Sequence, residues 1–284
     1  MLKSFDFKTQ AERTEERDAM QEVIEQGAKR VKVFLTEVAG RLCQEGLPIG
    51  DDCRINMQIS DAYNAAEVKR DLGFVDKRER FWAQEKFGTD DLVEYRANQE
   101  KSDGERLERL KTAIFNKFLG GEFIVVRASR YDDIKNGVDN VIIDRQTYEV
   151  VCALDEVGDM NGRNFDDKKA KVLAKNKGGG VNLKYGLGLV PFQQENQSGL
   201  PLFLIALPSE KIQEGLRSFS ADLAEPSLYE RRLFSFWVSL LIAQVKSFLL
   251  DLSHPQGKAE IQAIQRIVRA VQRFEKTLNK FQWT

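Results

Sequence analysis

The chain has 284 residues, and its 43 Lys and Arg residues nearly balance its 44 Asp and Glu residues, giving a formal net charge of −1. This length allows one large domain or two modest ones, and the near-neutral charge excludes a global attraction to nucleic acid, so any such binding must be local. A single histidine, His254, and three cysteines without CxxC spacing argue against a Ser-His-Asp triad, a multi-histidine zinc site and histidine acid–base catalysis.

Residues 1–101 are predicted to form a helical N-terminal region. Apolar residues recur at helical spacing from about 11 to 45, and Gly46 and Pro48 end this helix. Three shorter, highly charged helices are predicted over 61–72, 77–87 and 90–99. The stretch 53–60 is compatible with a short strand or a loop. No apolar run reaches the roughly 20 residues that span a bilayer, and no signal core is seen at the N-terminus, which predicts a cytoplasmic protein without a membrane partner.

Residues 102–219 are predicted to form an α/β core, a small mixed β-sheet flanked by helices. Ser102 and Glu105 form the capping pattern of a helix start, and Gly120-Gly121 ends that helix. Runs rich in Val, Ile and Phe predict strands over 123–126, 138–143 and 149–154, and the short link 144–148 joins the last two as an antiparallel hairpin. The remaining predicted elements are a helix over 164–177, strands over 181–187 and 202–207, and a helix that begins at Pro208.

Residues 220–284 are predicted to form a C-terminal helical hairpin. Two long amphipathic helices, 227–252 and 258–281, are separated by the break 253–257, which contains His254. Their aromatic and aliphatic residues are expected to be core or to form the contact face of a homodimer. Large helical additions are therefore predicted at both ends of the α/β core.

Two carboxylates are predicted to meet at one end of the sheet. Asp139 stands at the start of the second strand and Asp155 closes the third, and an antiparallel hairpin brings these two positions side by side. Two carboxylates repel unless a cation lies between them, and a hard divalent ion such as Mg²⁺ or Mn²⁺ prefers oxygen ligands. The alternative is that both are ordinary solvated Asp residues at strand ends.

A local excess of positive charge follows the sheet. Residues 163–177 contain six basic residues against two acidic ones, a local charge of +4 in a nearly neutral chain. Such a run is commonly just a solvated helix face. Beside an acidic strand end, it would instead neutralise a phosphate and hold its backbone neighbours.

The order of elements, with Gly-x-Asp at the second strand and an acidic residue at the end of the third, resembles the PD-(D/E)XK or restriction-endonuclease-like superfamily. The resemblance covers about 102–219 and implies metal-dependent hydrolysis of phosphodiester bonds in nucleic acid, with DNA as the expected partner. It implies that Asp139 and Asp155 bind Mg²⁺, and that Glu105 or Glu108 supplies a carboxylate from the preceding helix.

The chain departs from the family pattern at the lysine. That lysine is expected two residues after the acid, but Val157 stands there, and Gly158 stands there if Glu156 is taken as the acid. Some members of the superfamily carry a replacement lysine on the following helix. Three lysines on the predicted helix 164–177 are therefore the candidates: Lys168, Lys169 and Lys171. The alternative function is a non-catalytic interaction or assembly protein on a nuclease-like scaffold, with partner-binding terminal helices.

Overall fold

The computed structural model describes residues 10–59, 62–160, 162–187, 194–222 and 225–251, and six isolated helical positions between 261 and 276. Apart from those positions, the predicted second C-terminal helix, 258–281, lies outside the described residues. His254 and the predicted interhelical break lie outside them as well. The C-terminal hairpin and its homodimer face therefore remain predictions.

The described residues form a mixed α/β structure of eight helices and six strands. The helices are α1 (Gln10–Gln44), α2 (Ala65–Phe87), α3 (Leu92–Gln99), α4 (Asp103–Leu119), α5 (Arg130–Asn136), α6 (Arg163–Lys177), α7 (Ser209–Ser218) and α8 (Leu228–Asp251). The strands are β1 (Phe123–Arg127), β2 (Asn140–Asp144), β3 (Val150–Val157), β4 (Val181–Leu187), β5 (Gln194–Leu200) and β6 (Leu202–Ala206).

Two predictions for the N-terminal half need correction. The helices predicted over 61–72 and 77–87 are one helix, α2, which Asn64 caps by accepting from the Glu67 N–H. Gly73 does not break this helix, because the buried side chain of Val75 packs this part of α2 against the rest of the protein. The ambiguous stretch 53–60 is partly strand-like, since Arg54 forms an isolated bridge with Arg127 at the edge of β1.

The main sheet has four strands in the order β1-β2-β3-β6. β1, β2 and β3 are successively antiparallel, which confirms the predicted hairpin, and β6 lies parallel to β3. β6 is buried on both faces, as its apolar sequence predicts. β4 and β5 form a separate two-stranded sheet. β5 was not predicted, because its polar sequence QENQSGL lacks the apolar alternation of a strand.

One hydrophobic core joins the terminal helices to the sheet. It contains residues of α1, of all four strands of the main sheet and of α8. Rings of α4 and α8 meet in it, with Phe115 edge-on to Trp237 at 5.7 Å between centroids and Phe118 stacked on Phe234 at 4.4 Å. Among the described residues, no helix combines the length and apolar character that a membrane crossing requires. The boundaries at 101/102 and 219/220 remain predictions.

Both edges of the four-stranded sheet are covered. At β1, the Arg127 N–H donates to the Cys53 carbonyl at 2.8 Å, and the Ile55 N–H donates to the Arg127 carbonyl at 2.9 Å. At β6, the side-chain amide of Gln244 on α8 accepts from the Leu204 N–H at 2.9 Å and donates to the Leu204 carbonyl at 2.8 Å. The edge-strand amides at these positions are thus hydrogen-bonded within the chain.

Candidate active site

Asp139 and Asp155 lie together at one end of the β2–β3 hairpin. The Asp139 N–H donates to the Leu154 carbonyl at 2.9 Å, so Asp139 stands beside the residue that precedes Asp155. One carboxylate oxygen of Asp139, Oδ2, accepts from the Glu156 N–H at 2.7 Å. The prediction that Asp155 ends its strand was wrong: β3 continues to Val157, because β6 pairs with it in parallel through that residue.

A short helix that was not predicted, α5, places Asp139. Ser129 caps it by accepting from the Asp132 N–H at 3.0 Å, and Gly137 ends it with φ of 60°, in the left-handed region that favours glycine. The Lys175 ammonium donates to the Asn136 carbonyl at 2.6 Å and holds this end of α5 against α6. A capping serine and a terminal glycine eight residues apart were the sequence signal that would have revealed this helix.

Of the three candidate lysines, only Lys168 reaches the acidic residues. Its ammonium lies 2.5 Å from Asp155 Oδ1 and also donates to the Glu156 carbonyl. Lys169 and Lys171 are exposed on α6. Lys168 lies one helical turn before Val172, which is buried, so both residues lie on the face of α6 that packs on the sheet. This position explains why Lys168, and not its two neighbours, contacts the acidic residues.

Asp139, Asp155 and Lys168, here called the carboxylate site, hold an excess of negative charge. Burial raises the pKa of Asp139 well above its usual value, and the neighbouring Asp155 carboxylate raises it further. Burial opposes the charge of Lys168, but Asp139 and Asp155 outweigh it and raise the pKa of the lysine. Lys168 forms an ion pair with Asp155, and Asp139 has no ion pair with a basic side chain among the described residues.

The oxygen atoms of the carboxylate site fit a hard divalent cation. Asp139 and Asp155 offer carboxylates and Glu156 offers its backbone carbonyl, and the Lys168 ammonium already contacts two of these three groups. Mg²⁺ is commonly held by one or two carboxylates and keeps several waters. Within the described residues, no group of three or more His, Cys, Asp and Glu side chains is arranged to hold a metal. Two carboxylates with a carbonyl are the donor set that the chain presents.

The predicted helix carboxylates, Glu105 and Glu108, are engaged by arginines. Glu108 accepts from Arg127 Nε at 2.8 Å and from Arg54 at 3.1 Å, and Glu105 pairs with Arg127. They belong to what we call the arginine cluster: Arg54, Arg127 and Arg130 with Asp52, Glu105, Glu108 and Asp133. Metal ligation by Glu105 or Glu108 stays a prediction, and it would require these carboxylates to leave their arginine partners.

The alternative acid, Glu156, points away from Lys168. Its side chain forms a buried ion pair with Lys111 of α4. Successive residues of a strand point to opposite faces of a sheet, so Asp155 faces α6 and Glu156 faces α4. The Lys111 contact was not predicted, because a lysine in the middle of a helix is usually solvent-exposed.

No protein-family model, curated protein or solved structure matches this chain. The chemistry of the carboxylate site must therefore be argued from its own geometry.

Proposed function

We propose that this protein is a metal-dependent nuclease that hydrolyses phosphodiester bonds in nucleic acid, on a restriction-endonuclease-like core. The observation that carries the proposal is the convergence of Asp139, Asp155 and Lys168 at one end of a four-stranded mixed sheet. The elements α4, β1, β2, β3, α6 and β6 occur in the order that the family resemblance implies, with α5 inserted between β1 and β2 and with β4 and β5 inserted between α6 and β6.

In this proposal each residue has a separate task. Asp139 and Asp155 would hold Mg²⁺ or Mn²⁺ together with the Glu156 carbonyl. A bound ion of this kind stabilises negative charge on a phosphate and acidifies water. Lys168, fixed between Asp155 and the Glu156 carbonyl, orients the attacking water and offsets charge on the phosphate.

The exposed face of α6 provides the electrostatic contact to the substrate backbone. Lys169, Lys171 and Lys177 are exposed on the helix that carries Lys168. Exposed lysines neutralise backbone phosphates without reading sequence. DNA is the substrate that we propose, and the cytoplasm is the proposed compartment. Cys53 and Cys152 are free, and burial raises the pKa of each thiol to about 12 and leaves it unreactive.

The proposal is tested by titrating Mg²⁺ and Mn²⁺ into the wild type and into Asp139→Asn/Asp155→Asn by calorimetry. The matched control is Asp166→Asn/Asp167→Asn, which removes two exposed carboxylates from α6. We expect the wild type and the control to bind metal and to cleave single- or double-stranded DNA or RNA, and the site variant to do neither. A folded wild type without metal binding would exclude the proposed nuclease.

A second pair of variants separates metal binding from catalysis. Lys168→Met is expected to keep metal binding but to lower the cleavage rate at least about 100-fold, within the range of a lost acid–base or orienting group. Lys29→Met removes an exposed lysine of α1 and is expected to cleave within about threefold of wild type. Equal rates for both variants would remove Lys168 from the mechanism.

The alternative function, a non-catalytic interaction protein, is favoured by one observation on the terminal helices. A cavity of about 470 Å³ lies between α6, β6 and α8, lined by apolar side chains that include Phe165, Leu173 and Leu240. Apolar grooves of this size accommodate partner side chains. A wild type that neither binds metal nor cleaves, and that elutes as a dimer or larger assembly in size-exclusion chromatography, would favour this function.

A further inference from the structure

The two acids of the carboxylate site share a local pattern. Asp139 is followed by Asn140, and Asp155 is followed by Glu156, so each acid precedes a polar residue. Both polar residues are buried, with 0% and 5% of their surfaces exposed. Neighbouring residues of a strand point to opposite faces, so a contact that fixes the second residue also fixes where the acid points.

Helix α4 holds both of these polar residues through adjacent positions. Asn140 Nδ2 donates to Thr112 Oγ1 at 2.7 Å, and Glu156 pairs with Lys111. Thr112 in turn donates to the Glu108 carbonyl at 2.6 Å within the helix. Lys111 and Thr112 are both fully buried. A lysine is almost never fully buried without a partner, which makes its position under the sheet a specific feature of this chain.

Residue 156 connects every member of the carboxylate site. Its N–H donates to Asp139 at 2.7 Å, its carbonyl accepts from Lys168, and the preceding residue is Asp155. Its carboxylate, on the opposite face, is the part that Lys111 holds. A change in the backbone dihedral angles of this one residue would therefore disturb Asp139, Asp155 and Lys168 together.

The apolar pattern of β3 does not determine which of its side chains point to which face of the sheet. Val150, Val151, Cys152, Ala153 and Leu154 are all buried, so apolar residues stand on both faces of the strand. Hydrophobic burial specifies register only weakly where both faces are equally apolar. Asp155 and Glu156 are then two acids in tandem, and a shift by one residue would exchange them.

We propose that Lys111 is a positioning residue of the carboxylate site, which selects Asp155 as the site acid by pairing Glu156 on the opposite face of the sheet. Buried polar pairs are best attested in this role of fixing register. The inference rests on the proposed metal site for its functional consequence, but the orientation of residue 156 is a property of the metal-free protein.

The test replaces the pair by apolar residues of similar size, Lys111→Met/Glu156→Leu, which removes two buried charges together and often preserves stability. We expect Mn²⁺ affinity, measured by calorimetry, to fall at least about tenfold, the range for lost outer-shell contacts. The conservative variant Glu156→Gln keeps an acceptor for Lys111 and is expected to bind Mn²⁺ within about threefold of wild type. Lys77→Met, which removes an exposed lysine of α2, is the control.

A second readout does not depend on metal. Amide hydrogen exchange of residue 156, followed by NMR in metal-free protein, reports its bond to Asp139. We expect exchange there to accelerate at least about tenfold in the apolar variant, while the Ala153 amide, bonded to the Pro201 carbonyl, stays as in wild type.

The two readouts keep the inference separate from the proposed function. A wild type that binds no Mn²⁺ but shows the expected exchange effect would overturn the metal site and support the positioning role. An apolar variant that folds with wild-type exchange at residue 156 would overturn the positioning role, whatever the metal affinity. If the apolar variant does not fold, Glu156→Leu alone, measured for exchange at the same amide, decides the question in the same way.

Discussion

The arginine cluster and the carboxylate site are two groups of buried or partly buried charges, and they are balanced differently. In the cluster every carboxylate has at least one arginine partner, for example Asp52 with Arg127 and Asp133 with Arg130. In the carboxylate site Asp139 has no ion pair with a described basic side chain, and Lys168 pairs with Asp155 alone.

This difference has opposite effects on proton affinity. Burial opposes ionisation of Glu105, but Arg127, Arg54 and Arg109 outweigh it and hold its pKa at about 2. Burial and the Asp155 carboxylate instead raise the pKa of Asp139. Within the cluster Asp133 is an exception, because burial raises its pKa despite Arg130 and Arg54. Removal of one partner from the balanced group leaves an uncompensated buried charge, whereas removal of an acid from the carboxylate site relieves one.

The largest expected effect is the loss of the central arginine. Arg127→Met leaves Asp52, Glu105 and Glu108 without their shared partner, and removal of one side of a buried ion pair costs about 3–5 kcal/mol. Urea unfolding at pH 7 measures this change. A loss below about 1 kcal/mol would show that the arginine cluster is not what stabilises this region. It would also contradict the difference between the cluster and the carboxylate site.

Loss of one cluster carboxylate gives a smaller, pH-dependent effect. The folded pKa of Glu105 is lowered from 4.5 to about 2, so its stabilisation is complete above pH 4.5 and is lost as pH falls toward 2. We expect Glu105→Gln to lower the unfolding free energy by about 2–3 kcal/mol at pH 7, with a difference from wild type that shrinks below pH 4.5. The exposed Glu210→Gln is the control. A difference independent of pH would contradict the electrostatic cause.

The carboxylate site should respond with the opposite sign. The folded pKa of Asp139 lies above its unfolded value of about 3.8, so its ionisation makes the folded state less stable as pH rises from 3.8 through the folded pKa. Asp139→Asn removes this unfavourable ionisation and should raise the unfolding free energy at pH 7 in metal-free buffer, as urea unfolding would measure. If the variant is instead less stable than wild type, the Asp139 carboxylate stabilises the fold, as the carboxylates of the arginine cluster do.

The smallest effect is expected on the exposed face of α6. Lys171→Ala should change the unfolding free energy by less than about 0.5 kcal/mol, because its side chain is solvent-exposed. If α6 follows the substrate backbone, the slope of log affinity for DNA against log salt should fall by about one. Fluorescence anisotropy at several salt concentrations measures this slope, and an unchanged slope would separate Lys171 from the substrate.

The elements that could be predicted from the sequence are those whose signals lie within a short stretch of the chain. The hairpin of β2 and β3, the Ser102 cap of α4 and the start of α7 at Pro208 were predicted, because each depends on residues close together in the chain. β5 was missed because its pairing with β4, and not its own composition, makes it a strand. The end of β3 was misplaced because β6, some fifty residues later, extends it.

The candidate site was predictable only in part for the same reason. Asp139 and Asp155 are neighbours through a tight hairpin, which the sequence shows. Lys168 could be narrowed to three lysines, since the turn of α6 relative to the sheet depends on tertiary packing. The roles of Lys111 and Arg127 could not be predicted from the sequence. A buried basic residue is recognised only from its partners in the folded structure, here Glu156 for Lys111 and Glu108 for Arg127.

The side-chain amide of Gln244 has a consequence for self-association. By bonding both the N–H and the carbonyl of Leu204, it occupies the positions that a strand from another molecule would use to extend the sheet. The stretch around Cys53 and Ile55 does the same at β1. Copies of this chain therefore have no open backbone at these two positions through which to polymerise, and fibre-like growth of the main sheet would first require α8 to detach from β6.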